Sequence, residues 1–318
     1  MATVLLSFVI PHKGREVMLQ RTLQSIVEQQ YDLSLLEVIV VTQNAGLYDS
    51  TYPDDERLKI TTLIRPEDET ISRLRNVGAK EAAGEYIAFL DADIELSEHW
   101  VTVMMDELRA VSDRVLVSSV QRCDVDAPPL EKIRTVLSNA ATDCNVRFLP
   151  GRNLLLRRKT FDSVGGFPEH LLTCEDYYFT DKVSQTGLLY YSSAANYLHL
   201  GEDKQYREMF KKEIWRGQSN LQSIKGRRIP LSEWPSFLVP IWILLFFIFT
   251  VLALIVGAQG VGLLGFFLLL VPIVLYSIRL KRLAQSEVAL RHIVQFYLMY
   301  FPARIIGTYY GLFAAIRV

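Results

Sequence analysis

Short apolar runs alternate with segments of helical periodicity over the first part of the chain. Val4 to Ile10, Glu37 to Val41 and Leu58 to Ile64 have the length and apolar content of strands, whereas Val17 to Val27 repeats its apolar residues at helical spacing. Strands that alternate with helices predict a parallel, doubly wound sheet. The pattern therefore favours an α/β fold for this part of the chain.

A fourth apolar run, Tyr86 to Leu90, follows a helix predicted over Ser72 to Ala83 and leads directly into two aspartates. It is the kind of run expected of a strand that is buried on both faces. Asp91 and Asp93 then leave the carboxyl end of the strand, where open α/β sheets bind ligands. Carboxylate oxygens there suit Mg²⁺ or Mn²⁺, and those ions suit phosphate-bearing substrates. The alternative is that Asp91 caps the next helix and Asp93 is solvated.

Further elements are predicted beyond the two aspartates. Ser97 to Leu108 is expected to be a helix, Val115 to Val120 a strand, and Asp124 to Pro129 a linker. A second acidic pair, Glu175 and Asp176, opens another predicted helix. Because the helix dipole favours carboxylates in a first turn, this pair has either a stabilising role or a chemical one.

Charge and cysteine content narrow the classes of protein to which the chain can belong. With 34 Lys and Arg against 35 Asp and Glu, the net charge is -1, so no overall positive field predicts a nucleic-acid partner. Cys123, Cys144 and Cys174 are widely spaced and lack a metal-type spacing, which predicts reduced thiols. The length of 318 residues suffices for one sizeable α/β domain and a smaller part.

The C-terminal part of the chain is dominated by a long uncharged stretch. No charged residue occurs between Glu233 and Arg279, and this span is roughly twice the 20 residues that one bilayer crossing needs. A turn at Gly257 to Gly260 divides it, which predicts membrane helices at Trp234 to Val256 and Val261 to Ile278. The alternative is a hairpin buried within a globular domain.

The flanks of the uncharged stretch predict an orientation. The turn between the two helices has no charge. Three basic residues lie on each side of the uncharged stretch: Lys225, Arg227 and Arg228 before it, and Arg279, Lys281 and Arg282 after it. The positive-inside rule then places the α/β domain in the cytoplasm and the helices in the inner (plasma) membrane. A last apolar segment, 290–316, holds Pro302 and Arg304 near its middle and is expected either to lie in the interface or to span again.

The order of these parts resembles the family 2 inverting glycosyltransferases, whose fold is called GT-A. The matching stretches are Ser7 to Pro11, Leu23 to Ile26, Glu37 to Val41, Arg73 to Gly78, Gly84 to Asp93, Asn153 to Arg157, and Val164 to Phe167 with Glu175 and Asp176. Together they cover most of residues 4–200. The resemblance implies a Rossmann-like GT-A domain for nucleotide-diphospho-sugars over 1–230, followed by transmembrane helices at 234–256 and 261–278 and the segment 290–316.

The resemblance also implies roles for the acidic residues. In the family the Asp-x-Asp holds the donor diphosphate through a divalent ion, so Asp93 corresponds to the metal contact and Asp91 lies nearer the donor ribose or sugar. Glu175 and Asp176 correspond to a Glu-Asp pair whose aspartate usually acts as general base on the acceptor hydroxyl. His199 resembles a histidine that some relatives use near the metal, and the alternative is a structural histidine.

Pro11, Thr42 and Arg75 are expected in the donor site on the same resemblance, together with Asp91. The chain departs from the family after its second strand. There the family commonly has an acidic residue that reads the donor base, whereas this chain has Thr42-Gln43-Asn44-Ala45, which leaves recognition to amide groups or to the backbone. The segment from Lys212 to Gly217 echoes the Gln-x-x-Arg-Trp motif of processive synthases only in reversed order, which favours a single transfer.

These observations predict an enzyme that moves a sugar from a nucleotide-sugar donor to a lipid-linked or glycan acceptor, with inversion, in cell-surface polysaccharide or glycolipid synthesis. Displacement at an anomeric carbon needs one group to deprotonate the nucleophile and one cation to stabilise the leaving phosphate. Two alternatives stay open. A haloacid-dehalogenase-type phosphohydrolase also has a strand ending in Asp-x-Asp, although normally its first strand. A degenerate transferase acting as a membrane scaffold is favoured only by the altered loop at Thr42.

Overall fold

The computed structural model describes residues 4–46, 52–53, 55–218 and 231–316. They fall into two compact units. The first comprises Met1–Cys123 and Ala141–Gly201, and the second comprises Asp124–Ala140 and Glu202–Val318. The site residues predicted from the sequence all lie in the first unit.

The strands belong to one sheet of the first unit. In chain order they are β1 Leu6–His12, β2 Leu36–Thr42, β3 Lys59–Ile64, β4 Tyr86–Leu90, β5 Ile94–Leu96, β6 Arg114–Arg122, β7 Cys144–Val146, β8 Asn153–Arg157 and β9 Leu188–His199. The helices of the whole chain are α1 Glu16–Val27, α2 Ile71–Glu81, α3 Trp100–Ala110, α4 Pro129–Ser138, α5 Arg158–Val164, α6 Glu175–Ser184, α7 Tyr206–Gly217, α8 Trp234–Ile255, α9 Gln259–Ala284 and α10 Leu290–Ile316.

The sheet has the order β3-β2-β1-β4-β8-β6-β9-β5, and β7 pairs with β9. The first four strands run parallel, as predicted. The second half is mixed, because β8 is antiparallel to both β4 and β6, and β5 is antiparallel to β9. The predicted parallel arrangement is therefore confirmed for β1 to β4 and does not extend to the rest of the sheet. The other neighbour of β4 is β8, which comes much later in the chain, and a local alternation of strands and helices does not determine the direction of so distant a strand.

Two apolar layers enclose the centre of the sheet. All residues of β1, β2 and β4 are buried, as expected of strands covered on both faces. Phe8 and Ile10 pack with Trp100 on one face, and Val9 packs with Phe89 on the other. This alternation fixes the register of the strands, because a slip by one residue would exchange the two faces. The carboxyl ends of β1, β2 and β4 consequently form a rigid edge.

Predicted boundaries shift by a few residues, and several elements were not predicted. The helix expected over Ser72 to Ala83 is α2, and the helix expected over Ser97 to Leu108 is α3. The short strand β5 was not predicted, and α4 follows the segment that was expected to be a linker. Leu130 and Ile133 of α4 are buried in the second unit, so tertiary packing explains a helix that the local pattern did not indicate.

The second unit contains a buried cluster of charged side chains. Arg134 donates hydrogen bonds to Asp203 Oδ2 at 3.0 Å and to Glu213 Oε1 at 2.5 Å. Lys212 lies 2.7 Å from Asp203 Oδ1, and Arg216 donates to Glu213 Oε1 at 2.7 Å. The carboxylates of Asp203 and Glu213 are 0% and 3% exposed. Because each is surrounded by cations, neither is an uncompensated buried charge.

Two helices of the second unit are long and apolar enough, among the described residues, to cross a membrane: α8 and α9. They overlap the two helices predicted from the sequence, and α9 continues beyond the predicted Ile278 to Ala284. Large apolar side chains on both are exposed, for example Leu245 of α8 at 60% and Leu275 of α9 at 60%. The basic residues Lys225, Arg227 and Arg228 of the predicted flank lie outside the described residues.

We expect Glu213→Gln to destabilise the second unit by about 3–5 kcal/mol, because it leaves buried cations without their carboxylate. Burial alone would raise the pKa of Glu213, but Arg134, Arg216 and Arg304 outweigh it and lower the pKa to about 2, from an ordinary 4.5. The stabilisation is therefore complete above the ordinary pKa and is lost as the pH falls toward 2.

The measurement is the thermal unfolding midpoint of the full chain in lipid or detergent between pH 7 and pH 3. The wild type should lose stability over this range, and the variant should begin lower and lose less. Glu208→Gln, at an exposed position on the same helix, is the matched control. Equal midpoints for Glu213→Gln and wild type at pH 7 would contradict the prediction.

Candidate active site

The two aspartates after β4 lie in a turn that the backbone holds in place. Asp91 N donates to Arg152 O at 3.1 Å, and Leu200 N donates to Asp93 O at 2.8 Å. The turn is thereby fixed to the start of β8 on one side and to the end of β9 on the other. Both carboxylates consequently have defined positions at the central edge of the sheet.

Asp93 lies among three cationic or polar side chains. Its Oδ2 accepts from Arg15 Nη1 at 3.2 Å and is 3.4 Å from His199 Nε2. Burial alone would raise the pKa of Asp93, but the hydrogen bond and charge of His199, with Arg15 and Arg152, outweigh it and lower the pKa. His199 reaches Asp93 because the pairing of β5 with β9 sets it opposite Ile94. Asp93 is therefore an ionised carboxylate at neutral pH.

The orientation of the His199 ring follows from its other neighbour. Arg152 Nη1 is 3.1 Å from His199 Nδ1. A guanidinium group can only donate, so Nδ1 accepts, and the ring proton of a neutral imidazole is then on Nε2, facing Asp93. A metal ion at Nε2 therefore requires Arg152 to release Nδ1, so that the proton can move there.

Gly201, just beyond β9, leaves the space that the Asp93 carboxylate occupies. A Cβ at this position would collide with Asp93 Oδ2 and lie 2.6 Å from Arg15 Nη1. Since both atoms belong to the ion pair itself, a larger residue would have to displace it. The glycine thus leaves room for this ion pair.

Arg75 joins the two acidic pairs. Its Nη2 donates to Asp91 Oδ1 at 2.8 Å, and its Nη1 donates to Glu175 Oε1 at 2.9 Å. The residue is 1% exposed, and its guanidinium lies 5.0 Å from the centre of the Phe167 ring. Burial alone would lower the pKa of Arg75, but Asp91, Glu175 and Asp176 outweigh it and raise the pKa. A single buried cation thus links residues 84 positions apart.

Glu175 and Asp176 occupy the first turn of α6, as the sequence predicted. Asp176 Oδ2 accepts from Gly151 N at 3.3 Å, and its Oδ1 accepts from Tyr177 N at 2.8 Å. Burial raises the pKa of Asp176 against the backbone N–H groups and Arg75. Burial, followed by the charge of Asp176, raises the pKa of Glu175 against Arg75. Each carboxylate therefore takes up a proton more readily than it would in water.

Pro11 and Thr42 lie at the same edge of the sheet, on neighbouring strands. Thr42 is fully buried; its Oγ1 is 2.9 Å from His12 Nδ1 and accepts from Asn44 N at 3.0 Å. The amide of Gln43 donates to two backbone carbonyls, at 2.7 and 3.0 Å. The side chains that replace the family's acidic residue are thus engaged in holding the loop. The assignment of Pro11 and Thr42 to donor binding stays a prediction.

The structure brings the predicted residues together as two groups. Asp93 with His199 forms one, and Asp91 with Glu175 and Asp176 forms the other through Arg75. The sequence reasoning missed four residues of these groups: Arg15, Gly151, Arg152 and Gly201. The basic loop Lys13-Gly14-Arg15 directly after β1 was an available signal for the first of them. Gly151 and Gly201 had none, because their role depends on residues distant in sequence.

Residues 7–165, half of the chain, match the family model described as glycosyl transferase family 2. The chain belongs to this family. The match confirms the predicted transferase. Because it includes Asp91 and Asp93, the Asp-x-Asp is part of a transferase domain and not the phosphohydrolase signature considered above.

Individual relatives agree with this assignment. The glycosyltransferase AglE of Haloferax volcanii is 23% identical over 252 residues, which are 76% of this chain and 81% of that protein. A Campylobacter jejuni protein named GalNAc(5)-diNAcBac-PP-undecaprenol beta-1,3-glucosyltransferase is 30% identical over 107 residues, 32% of this chain and 34% of its own. The solved mannosyltransferase PcManGT of Pyrobaculum calidifontis, in complex with GDP-Man and Mn²⁺, has a TM-score of 0.56 at 16% identity and covers 98% of this chain and 86% of its own. The GT-A fold is thereby confirmed.

We expect Gly201→Ala to lower sugar transfer by about 10–100-fold, the usual cost of disturbing a group that supports a functional carboxylate. The added Cβ would displace the Asp93 carboxylate or the Arg15 guanidinium. The measurement is nucleotide release with donor and acceptor, alongside thermal unfolding. Gly260→Ala is the control, since a Cβ there meets no atom within 4 Å. Full activity of Gly201→Ala would show that the Asp93 ion pair tolerates displacement.

Proposed function

We propose that this glycosyltransferase moves a sugar, with inversion, from a nucleotide-sugar donor to a lipid-linked or glycan acceptor in cell-surface polysaccharide or glycolipid synthesis. The observation that carries the proposal is the separation of two carboxylate environments, one at Asp93 and one at Asp176. The pKa of Asp93 is lowered and that of Asp176 is raised. Such a divergence suits one carboxylate that stays charged beside a cation and one that exchanges a proton.

A divalent ion fits the residues at Asp93. Asp93 Oδ2 and His199 Nε2 are 3.4 Å apart, and carboxylate oxygen and imidazole nitrogen are both ligands of Mn²⁺-type ions. Among the described residues, no cluster of three or more His, Cys, Asp and Glu side chains surrounds one point. The protein would thus supply two ligands and leave positions for phosphate oxygens. The bound Mg²⁺ or Mn²⁺ would stabilise the charge of the leaving diphosphate.

Two guanidinium groups support binding of the donor diphosphate beside Asp93 and His199. Arg15 is 53% exposed in its side chain and contacts Asp93, and Arg152 contacts His199. Guanidinium groups bind phosphate oxygens through parallel hydrogen bonds. We assign both to the donor diphosphate, whose binding would draw Arg152 from Nδ1 of His199 and free Nε2 for the ion.

Asp176 is the better candidate for the general base. Glu175 is paired with the buried Arg75 at 2.9 Å, and this pairing stabilises its carboxylate against protonation. Asp176 accepts only from backbone N–H groups in the contacts given above, so it is the less engaged carboxylate of the pair, and burial raises the pKa of both toward neutral pH. A base whose pKa lies nearer the working pH is the more effective one. Asp176 would take the acceptor proton as the acceptor oxygen displaces the diphosphate, which inverts the anomeric centre.

The acceptor and the location rest on other observations. The name of the C. jejuni relative includes a pyrophosphoryl-undecaprenol acceptor, which supports a lipid-linked substrate here. The exposed apolar surfaces of α8 and α9 suit lipid contact, since such surface is unfavourable in water. The basic flanks of the uncharged stretch favour an inner-membrane protein with residues 1–230 in the cytoplasm. The segment 290–316, which is α10, is proposed to lie in the interface or to span the membrane.

We expect Asp176→Asn to lower turnover by about 10²–10⁴, because a base contributes to the chemical step by this factor. Donor binding should change little, since the acceptor hydroxyl is the partner of the base. The measurements are turnover at saturating donor and the thermal stabilisation of the protein by nucleotide sugars with and without Mn²⁺. Asp181→Asn, on the same helix, is the matched control. Near-native turnover of both Asp176→Asn and Glu175→Gln would remove the pair from the mechanism.

The proposed topology predicts that a cysteine at Gln259 reacts with a membrane-impermeant thiol reagent added outside intact cells. A cysteine at Lys225 should not react, because both basic flanks face the cytoplasm. The unmodified protein is the background control, as its cysteines at 123, 144 and 174 would all be cytoplasmic. Labelling at Lys225 with none at Gln259 would reverse the topology.

A further inference from the structure

Arg75 stands out among the charged residues because a fully buried guanidinium is shared by two carboxylates of different origin. Asp91 follows β4 at the Asp-x-Asp, and Glu175 opens α6. Arg75 comes from α2, where its side chain is 2% exposed. A side chain so enclosed offers little surface to a nucleotide-sugar donor. Its role therefore follows from its contacts within the protein.

The surroundings leave room for this guanidinium and for little else. A Cβ at Gly151 would lie 3.1 and 3.2 Å from the two Nη atoms of Arg75 and 3.2 Å from Asp176 Cβ. Such separations are tighter than ordinary van der Waals contact. Gly151 therefore lets Arg75 approach Asp176 as well as Glu175, and the same glycine N–H donates to Asp176. The three side chains form one packed group.

Among the described residues, the main charges that act on Glu175 and Asp176 come from three side chains. Arg75 faces it from α2, and Arg152 acts on Asp176 from the loop before β8. Asp91 adds a third carboxylate on the other side of Arg75. Asp176 also accepts hydrogen bonds from the backbone N–H groups of Gly151 and Tyr177. Arg75 is the cation that touches two of the three carboxylates.

We propose that Arg75 is a positioning residue that holds Glu175 as a paired carboxylate, keeps Asp176 as the deprotonated base, and fixes Asp91 to the same group. This inference rests on the proposed function, because it concerns the base of the transfer reaction. The forked guanidinium can hold two carboxylates at once, whereas a lysine amine is a single point of charge. The arrangement thus requires both the charge of Arg75 and its shape.

Removal of Arg75 should change the pH dependence of turnover in one direction. Burial raises the pKa of both Glu175 and Asp176, and Arg75 opposes this rise. Without Arg75 the pKa of Asp176 rises further, so a smaller fraction is deprotonated at neutral pH. A base acts only when deprotonated, so turnover should begin to fall at a higher pH as the solution is acidified. This fall on the acidic side of the plot of turnover against pH is called the acidic limb. A shift of about one unit lowers the deprotonated fraction about tenfold below that limb.

The experiment measures turnover against pH with the full chain, saturating nucleotide sugar and Mn²⁺, for Arg75→Met and Arg75→Lys. We expect Arg75→Met to move the acidic limb upward by about one unit or more and to recover part of its turnover at high pH. Arg75→Lys should keep the limb near that of the wild type, at a lower plateau. Arg73→Met is the matched control on α2, since Arg73 is 47% exposed in its side chain, and its limb should not move.

A merely structural role for Arg75 would lower turnover equally at every pH and leave the limb in place, and this result would overturn the proposal. If Arg75→Met does not fold, Arg75→Gln provides the same test, because it removes the charge but keeps groups that form hydrogen bonds. Its limb should also move to higher pH, and an unmoved or lowered limb would contradict the proposal.

If the proposed function is wrong, the experiments give different results. In that case the wild type releases no nucleotide from any nucleotide sugar, or Asp176→Asn is as active as the wild type. An active wild type, an impaired Asp176→Asn and an unmoved limb in Arg75→Met would reject the Arg75 inference alone. The wild type and these two variants therefore separate the two hypotheses.

Discussion

The active-site unit depends on the pairing of one buried cation with carboxylates from two distant parts of the chain. An unpaired guanidinium at the depth of Arg75 would be costly, and so would carboxylates there without a cation. The helix that carries Arg75 must therefore lie close to the sheet. Gly78, one turn later on α2, permits this, since a Cβ there would be 2.5 Å from Val9 Cγ1 and 2.9 Å from Val41 Cγ2. Close packing of α2 against the sheet and the charge pairing of Arg75 are thus one constraint.

The change of strand direction in the sheet explains why two kinds of chemistry meet at β4. On one side, β1 and β2 run parallel to β4, and their carboxyl ends provide the edge at which Arg15 and Thr42 lie. On the other side, β8 runs antiparallel to β4, so it begins where β4 ends, beside Asp91. Arg152 and Gly151 reach the site for this reason. A wholly parallel sheet would have carried the start of β8 to the opposite edge.

The sequence predicted the strand β4, the two acidic pairs and the family, because each depends on local pattern. Tyr86 to Leu90 is apolar throughout, and Glu175 and Asp176 occupy a helix start, so no long-range information was needed. The antiparallel half of the sheet was not predicted, since the strand that pairs with β4 on this side, β8, is distant in sequence, and the local alternation of strands and helices does not report its direction. The roles of Gly151 and Gly201 were equally inaccessible, because each is defined by atoms that meet only in the folded chain.

Asp93 and Asp176 differ in the kind of group that compensates their negative charge. Asp93 is balanced by side chains, His199 and Arg15, of which Arg15 is half exposed and so able to exchange Asp93 for a ligand. Asp176 is balanced by backbone N–H groups and by the enclosed Arg75, which cannot leave. A carboxylate with exchangeable partners suits ligand and metal binding, whereas one with fixed partners keeps a constant proton affinity. In the proposed mechanism the same residue type thus serves two functions, which follow from the exposure of its neighbours as much as from their charge.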